Sequence, residues 1–294
     1  MNIDNIINKY NYSIELAQFL KDVYRALIDY FGESNEEIIY NALLSCPIIS
    51  SKNCYDELLK LGLIDIDNNM VTMNDLKISS GVYESKPKII HQNGKFTISS
   101  IERAIVIKDL DVNNKVSKAT LIHEIGHLVK SYYNEYEIDG NILTFKSGLI
   151  EKKYQLEIIN EKVQKRLILE LGVGLEEGFN SLLEEDIARK IIDPNYQSTG
   201  YGLVNGIASN FKKYLSFFLN AQIYKNKSEL ISRFGIYYSD LEILTDKFYQ
   251  LNLQLLANAF NEFRKQEIIA EIQKLQFEEY IPIMKKIMKQ GLGR

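Results

Sequence analysis

The sequence is poor in the residues that staple small domains together. Of its 294 residues, two are cysteine, three histidine and four proline. Cys46 and Cys54 are not spaced as a C-x-x-C pair, which argues against a cysteine-based metal or redox module and predicts reduced, partly buried thiols. No apolar run approaches the roughly 20 residues needed to span a bilayer. Met1-Asn2-Ile3-Asp4-Asn5 lacks the basic-then-apolar order of a secretory signal, so the expected location is cytoplasmic. Excess positive charge is missing too. A net charge of −4 and a pI near 5.6 give no general attraction to nucleic acid or to anionic membranes, and neither partner is expected. What is present, 46% hydrophobic and 25% charged residues, is enough to build a core for two domains or for one enzyme domain with helical additions.

Two of the three histidines fall in a single string, His123-Glu124-Ile125-Gly126-His127, inside an apolar stretch from Val116 to Val129. On a helix, residues four apart stand one above the other with Cβ atoms roughly 5–6 Å apart, so both imidazoles can reach one metal ion. Glu124 lies about 100° around the helix from His123. It can sit beside the metal without binding it and take a proton from a water the metal activates, the division of labour in zinc peptidases. The competing readings are a buried helix with locally bonded histidines, or a purely structural metal site. Structural zinc sites usually add cysteine ligands and keep no open position. The helix is expected to start near Asn114 or Ser117 and to end around Lys130-Ser131.

The rest of the chain is arranged around this segment. Ser13–Phe31, a stretch from the Ser34-Asn35-Glu36-Glu37 capping box to Pro47, and Asn53–Leu61 read as helices, followed by a hairpin of residues 63–66 and 70–73. That order matches a winged-helix DNA-binding unit, but residues 1–62 carry five Lys/Arg against nine Asp/Glu, the wrong sign for phosphate. Two or three strands between Gly81 and Asp111, with an Asn93-Gly94 turn, precede the histidine helix, and an edge strand there can pair with an extended substrate. A Gly-Asn turn within Tyr136–Phe145 and a Lys/Glu-rich segment to Lys165 read as an insertion. From Ile207 onward the sequence is helical, with Ser239-Asp240-Leu241-Glu242 as a further capping box. The expected domains are a helical subdomain with a small hairpin (1–80), a catalytic core with an inserted hairpin near 132–158 (81–206), and a helical C-terminal subdomain (207–294).

A catalytic zinc needs a third protein ligand. The remaining histidine, His91, lies upstream among the strands, and Tyr133 stands where an H-E-x-x-H-x-x-G-x-x-H motif has its last His. A carboxylate is the default. The best candidate region is Leu175-Glu176-Glu177-Gly178-Phe179-Asn180-Ser181, at the start of a helix running to about Ile192. Here the chain resembles the gluzincin metallopeptidases, whose zinc aminopeptidase members carry N-E-G-F-A with the Glu as third ligand. Glu177-Gly178-Phe179 matches, with Glu176 and Asn180 replacing the flanking residues.

The resemblance implies an α+β, mostly helical, zincin-like fold binding Zn2+ through His123, His127 and Glu177, with Glu124 as general base. Glu176, Glu170, Glu184 and Glu185 remain alternatives to Glu177. Asn180 or Ser181 could hydrogen-bond a ligand from behind. Tyr201, in the loop Gln197–Gly202, is the candidate for stabilising the oxyanion. The long 128–176 separation and the absence of a G-A-M-E-N motif do not imply an aminopeptidase. The expected activity is a zinc endopeptidase acting on a peptide or protein; the alternative is a non-catalytic, regulatory metal-containing interaction module, with a winged-helix-like N-terminal part.

Overall fold

Residues 1–64, 79–132, 135–198, 204–209, 236–258 and 260–289 are described by the computed structural model. Among the described residues helix and strand are mixed with helix predominating, 56% against 25%, consistent with an α+β chain. The element order is α1 (Asp4–Tyr10), α2 (Ile14–Phe31), α3 (Glu36–Ser45), β1 (Ile48–Ser51), α4 (Cys54–Lys60), β2 (Gly81–Gln92), β3 (Lys95–Lys108) and α5 (Lys115–Ser131). Then follow β4 (Tyr136–Asp139), β5 (Ile142–Ser147), β6 (Ile150–Ile159), β7 (Lys162–Leu171), α6 (Val173–Ile191), α7 (Ile236–Ala257), α8 (Glu262–Leu275), a short π turn and α9 (Ile281–Lys289). The chain divides into two compact units. The first holds Met1–Ser147, Lys152–Leu169 and Leu183–Gln197; the second holds Gly148–Glu151, Glu170–Leu182 and Ser198–Arg294. Helix α6 is continuous, so its first half counts with the second unit and its second half with the first.

In the first unit the N-terminal helices follow the sequence closely. Ser13 caps α2 by accepting the Leu16 N–H, Asn53 caps α4 by accepting the Asp56 N–H, and Gly62 supplies a positive φ of 71° just beyond α4. The capping box at Ser34 does not form. A short 3-10 turn, Glu33–Asn35, leads into α3, and no side chain caps that helix. Strand β1 was not expected: it pairs parallel with β3, giving the sheet order β1-β3-β2. The β2–β3 hairpin turns at Asn93 and Gly94, both with positive φ, as an Asn-Gly pair prefers. The hairpin expected over residues 63–73 falls mostly outside the described residues.

In a second sheet, β4-β5-β6-β7, the predicted Gly140-Asn141 turn joins β4 to β5. Its β6–β7 part was read only as a Lys/Glu-rich segment. Along most of both strands the side chains are exposed or half-buried, so the one-in-two apolar alternation that betrays a half-buried strand is absent. Both cysteines are buried, and burial raises each thiol pKa, that of Cys54 to about 11.

The second unit is built on Leu149, Leu175, Phe179, Leu182, Leu241, Leu244, Phe248 and Ile268. Ser239 lies inside α7 and not at its start, so the capping box proposed there is not a helix boundary. Asp246 of α7 ties down the beginning of α6: its Oδ2 accepts the Gly172 N–H at 2.8 Å and its Oδ1 the Gly174 N–H at 2.7 Å. Glycine is required at both places. Gly172 has a φ of 81°, and a Cβ on Gly174 would collide with the Thr245 carbonyl.

Burial pushes the Asp246 carboxyl up to about 6, the two N–H bonds pull it down, and nearby Glu242 and Glu170 push it up. A raised carboxyl pKa contributes stability that is fully present below about pH 4 and is lost as pH rises through about 6. Asp246→Asn removes that dependence. The stability of the variant relative to the native chain should therefore rise by about 3 kcal/mol between pH 4 and pH 7, the equivalent of about two pKa units. Parallel urea-unfolding curves over this range would contradict the assignment.

Among the described residues no helix is long and apolar enough to cross a membrane.

Candidate metal centre

Helix α5 opens where the sequence places it. Asn114 caps it, its Oδ1 accepting the N–H of Val116 at 2.8 Å and of Ser117 at 3.2 Å. Leu121, Ile122, Ile125, Leu128 and Val129 are fully buried, and the helix packs on α3, β2, β3 and β5. Burial on this scale, about 1.5–3 kcal/mol per large side chain, is what allows a helix with a central glycine to carry polar residues inward.

His123 and His127 are 9% and 8% exposed, and their Nε2 atoms face each other at 3.2 Å. Two nitrogens bound to one tetrahedral ion at about 2.0–2.1 Å lie about 3.3 Å apart, so the pair already has the spacing of two metal ligands. The far side of His123 is fixed as well. Its Nδ1 lies 2.9 Å from Glu184 Oε2, and Tyr196 donates its hydroxyl to Glu184 Oε1 at 2.5 Å. A carboxylate on Nδ1 selects the tautomer that carries its proton there and leaves the Nε2 lone pair facing inward. Burial, followed by the Glu184 contact, raises the Tyr196 phenol pKa, keeping it a neutral donor.

Helix α6 supplies the carboxylate. Glu177 and Glu184 are seven residues apart, two turns on the same helix face. One ligand atom from Glu177 and one from each of the two imidazoles lie within 4.8 Å of one another. Glu176 points elsewhere: it is 1% exposed and accepts the Leu149 N–H at 2.8 Å, with its carboxylate filling the space a side chain on Gly148 would need. Glu185 pairs with Arg189, and Glu170 lies close enough to Asp246 to raise its pKa. Among the alternatives, only Glu177 has a ligand atom in the cluster. Two imidazoles, one carboxylate and no thiolate suit a divalent transition metal with a position left for a fourth ligand.

Glu124 is 8% exposed, and its Oε2 accepts the backbone N–H of Tyr83 at 2.7 Å. Tyr83 belongs to β2, an edge of its sheet among the described residues. Gly81 lets β2 lie close to this helix: a Cβ there would come within 2.5 Å of Thr120 Cγ2, 2.8 Å of Ile107 Cδ1 and 3.2 Å of Glu124 Cγ.

Of the residues named from the sequence, His123, His127 and Glu177 come together and Glu124 is next to His123 on the same helix. Glu184, expected only as an alternative ligand, instead bonds His123 Nδ1, and Tyr196 and Tyr83 were not singled out. The signal for Glu184 was available, since seven residues is two helical turns from Glu177. Tyr83 had none. Asn180 and Ser181, named as possible hydrogen-bond partners of a ligand, are buried at 0% and 1% exposure, and the side chain bonded to His123 Nδ1 is that of Glu184. His91 lies against Phe96 within the β2–β3 hairpin, with ring centroids 4.7 Å apart and the planes tilted by 45°. Tyr201 lies outside the described residues. Glu184→Ala should weaken metal affinity about 10- to 100-fold, the usual cost of losing a partner behind a ligating histidine. Competition against a chelating dye measures this, and unchanged affinity would remove Glu184 from the site. Comparison with protein-family models, with curated proteins and with solved structures finds no match.

Proposed function

We propose that this chain is a zinc-dependent endopeptidase of the gluzincin type, on a zincin-like α+β scaffold. The observation that carries the reading is the convergence of His123, His127 and Glu177, with Glu124 next to His123 on the same helix. These three residues would hold a zinc ion, which when bound would supply Lewis acidity toward the scissile carbonyl and a water molecule. Glu124 takes the proton that the water gives up and delivers it to the leaving amine. Glu184, steadied by Tyr196, holds the His123 ring in the tautomer that binds. Tyr201 is the proposed hydrogen-bond donor to the oxyanion.

The substrate is a peptide or protein segment in extended form. An endopeptidase is favoured because no recognisable terminus-binding motif is present in the sequence. The test is elemental analysis of protein expressed with ample metal, paired with hydrolysis of an unfolded protein substrate. One zinc per chain, with hydrolysis lost on chelation and restored by zinc, supports the reading. Protein that retains no stoichiometric zinc sinks it. Zinc without turnover would leave a metal-containing interaction module in its place.

A further inference from the structure

Behind the candidate centre lies an ion pair that the proposed chemistry does not use. Glu135, just beyond α5, is 1% exposed, and its carboxylate receives three donors. The Tyr83 hydroxyl donates to Oε1 at 2.6 Å, and Arg103 donates to Oε2 from Nε at 2.9 Å and Nη2 at 2.7 Å. Arg103 extends from β3 and its guanidinium lies 5.2 Å from the Tyr132 ring centroid. The Tyr83 hydroxyl in turn accepts from Ser131 Oγ at 3.0 Å.

Ser131 and Glu124 are seven residues apart on α5, two turns along one face, a rise of about 10.5 Å. A single residue of β2 therefore bonds that face at two points, by its backbone N–H at Glu124 and by its ring hydroxyl at Ser131. We infer that the buried Arg103–Glu135 pair positions Glu124, with Tyr83 as the rigid link between them. The role of Glu124 as general base rests on the peptidase reading; the way it is held does not.

The physical case is one of geometry. Taking two charges out of water is costly, and apolar side chains of equal volume often give equal stability, so a saturated buried pair is most useful where it fixes orientation. With three donors on Glu135 and the Tyr83 hydroxyl bonded to Glu135 on one side and close to Ser131 on the other, the Tyr83 ring is tied at its far end. Its backbone N–H is then presented to Glu124 at one place. A general base must lie within hydrogen-bond reach of its proton, and a misplacement of about 1 Å costs about a hundredfold in rate. Tyr83, Glu135 and Arg103 touch neither substrate nor metal ligands in this scheme. They are positioning residues.

The test uses the full chain, zinc-loaded, with Tyr83→Phe and Glu135→Gln. Both variants should keep their zinc and KM, lose kcat by about tenfold to a hundredfold, and exchange the residue-83 amide hydrogen at least tenfold faster while the α5 amides keep their protection. If Glu135→Gln does not fold, Tyr83→Phe decides alone, since it removes one oxygen and leaves the ring. Native exchange at residue 83 in the folded variants overturns the inference, and so does faster exchange with kcat unchanged. If the native chain hydrolyses no peptide, the peptidase reading fails, while the exchange rates still decide whether the ion pair holds Glu124.

Discussion

Glu124→Gln should abolish hydrolysis, lowering kcat by about 10²–10⁴-fold, while zinc content and fold stay as in the native chain. The size follows from the role: a positioned general acid–base contributes about that much. Gln is nearly the same shape as Glu and keeps an amide oxygen to accept the Tyr83 N–H, so the contact between β2 and α5 survives the change. What it loses is the ability to take up a proton near neutral pH. Steady-state kinetics with metal analysis of the same preparation checks both halves. Hydrolysis at the native rate would show that Glu124 is not the base, and loss of zinc would show that it serves the metal.

The second large effect separates two adjacent glutamates. In the proposed site, Glu177→Ala leaves two protein ligands of three and should weaken zinc binding by more than about 100-fold, the upper range for partners that do not touch the metal. Glu176→Ala should leave zinc binding close to native. Its cost is in stability: the Leu149 N–H loses its acceptor in a buried place, worth about 1–3 kcal/mol. The two substitutions should therefore dissociate, one read by zinc titration and the other by thermal unfolding. Equal metal loss in both would mean that α6 binds through a rotated face.

The elements legible in the sequence were those with local chemistry to announce them. The caps at Ser13, Asn53 and Asn114 bracket helices because a side-chain oxygen must meet the free N–H groups of the first turn. Positive φ at Asn93 and Gly94 marks a hairpin for the same local reason. The His123/His127 pair was legible because helical spacing alone brings two rings together. Where a partner comes from far along the chain, the signal vanished. β1 is four residues long and owes its existence to parallel pairing with β3. Tyr83 meets Glu124 across 41 positions and Glu135 across 52. The Ser239 and Ser34 boxes failed in the other direction: the residue pattern was right, but α7 runs through the first and a 3-10 turn displaced the second.

The burial of Cys46 and Cys54 has a practical side. Both thiols are 1% exposed and held protonated at neutral pH, and the chain contains no other cysteine. Neither thiol should react with thiol reagents while the chain stays folded. A single cysteine placed beside the exposed turn between β6 and β7, at Lys162, becomes the one site that a fluorophore or spin label finds.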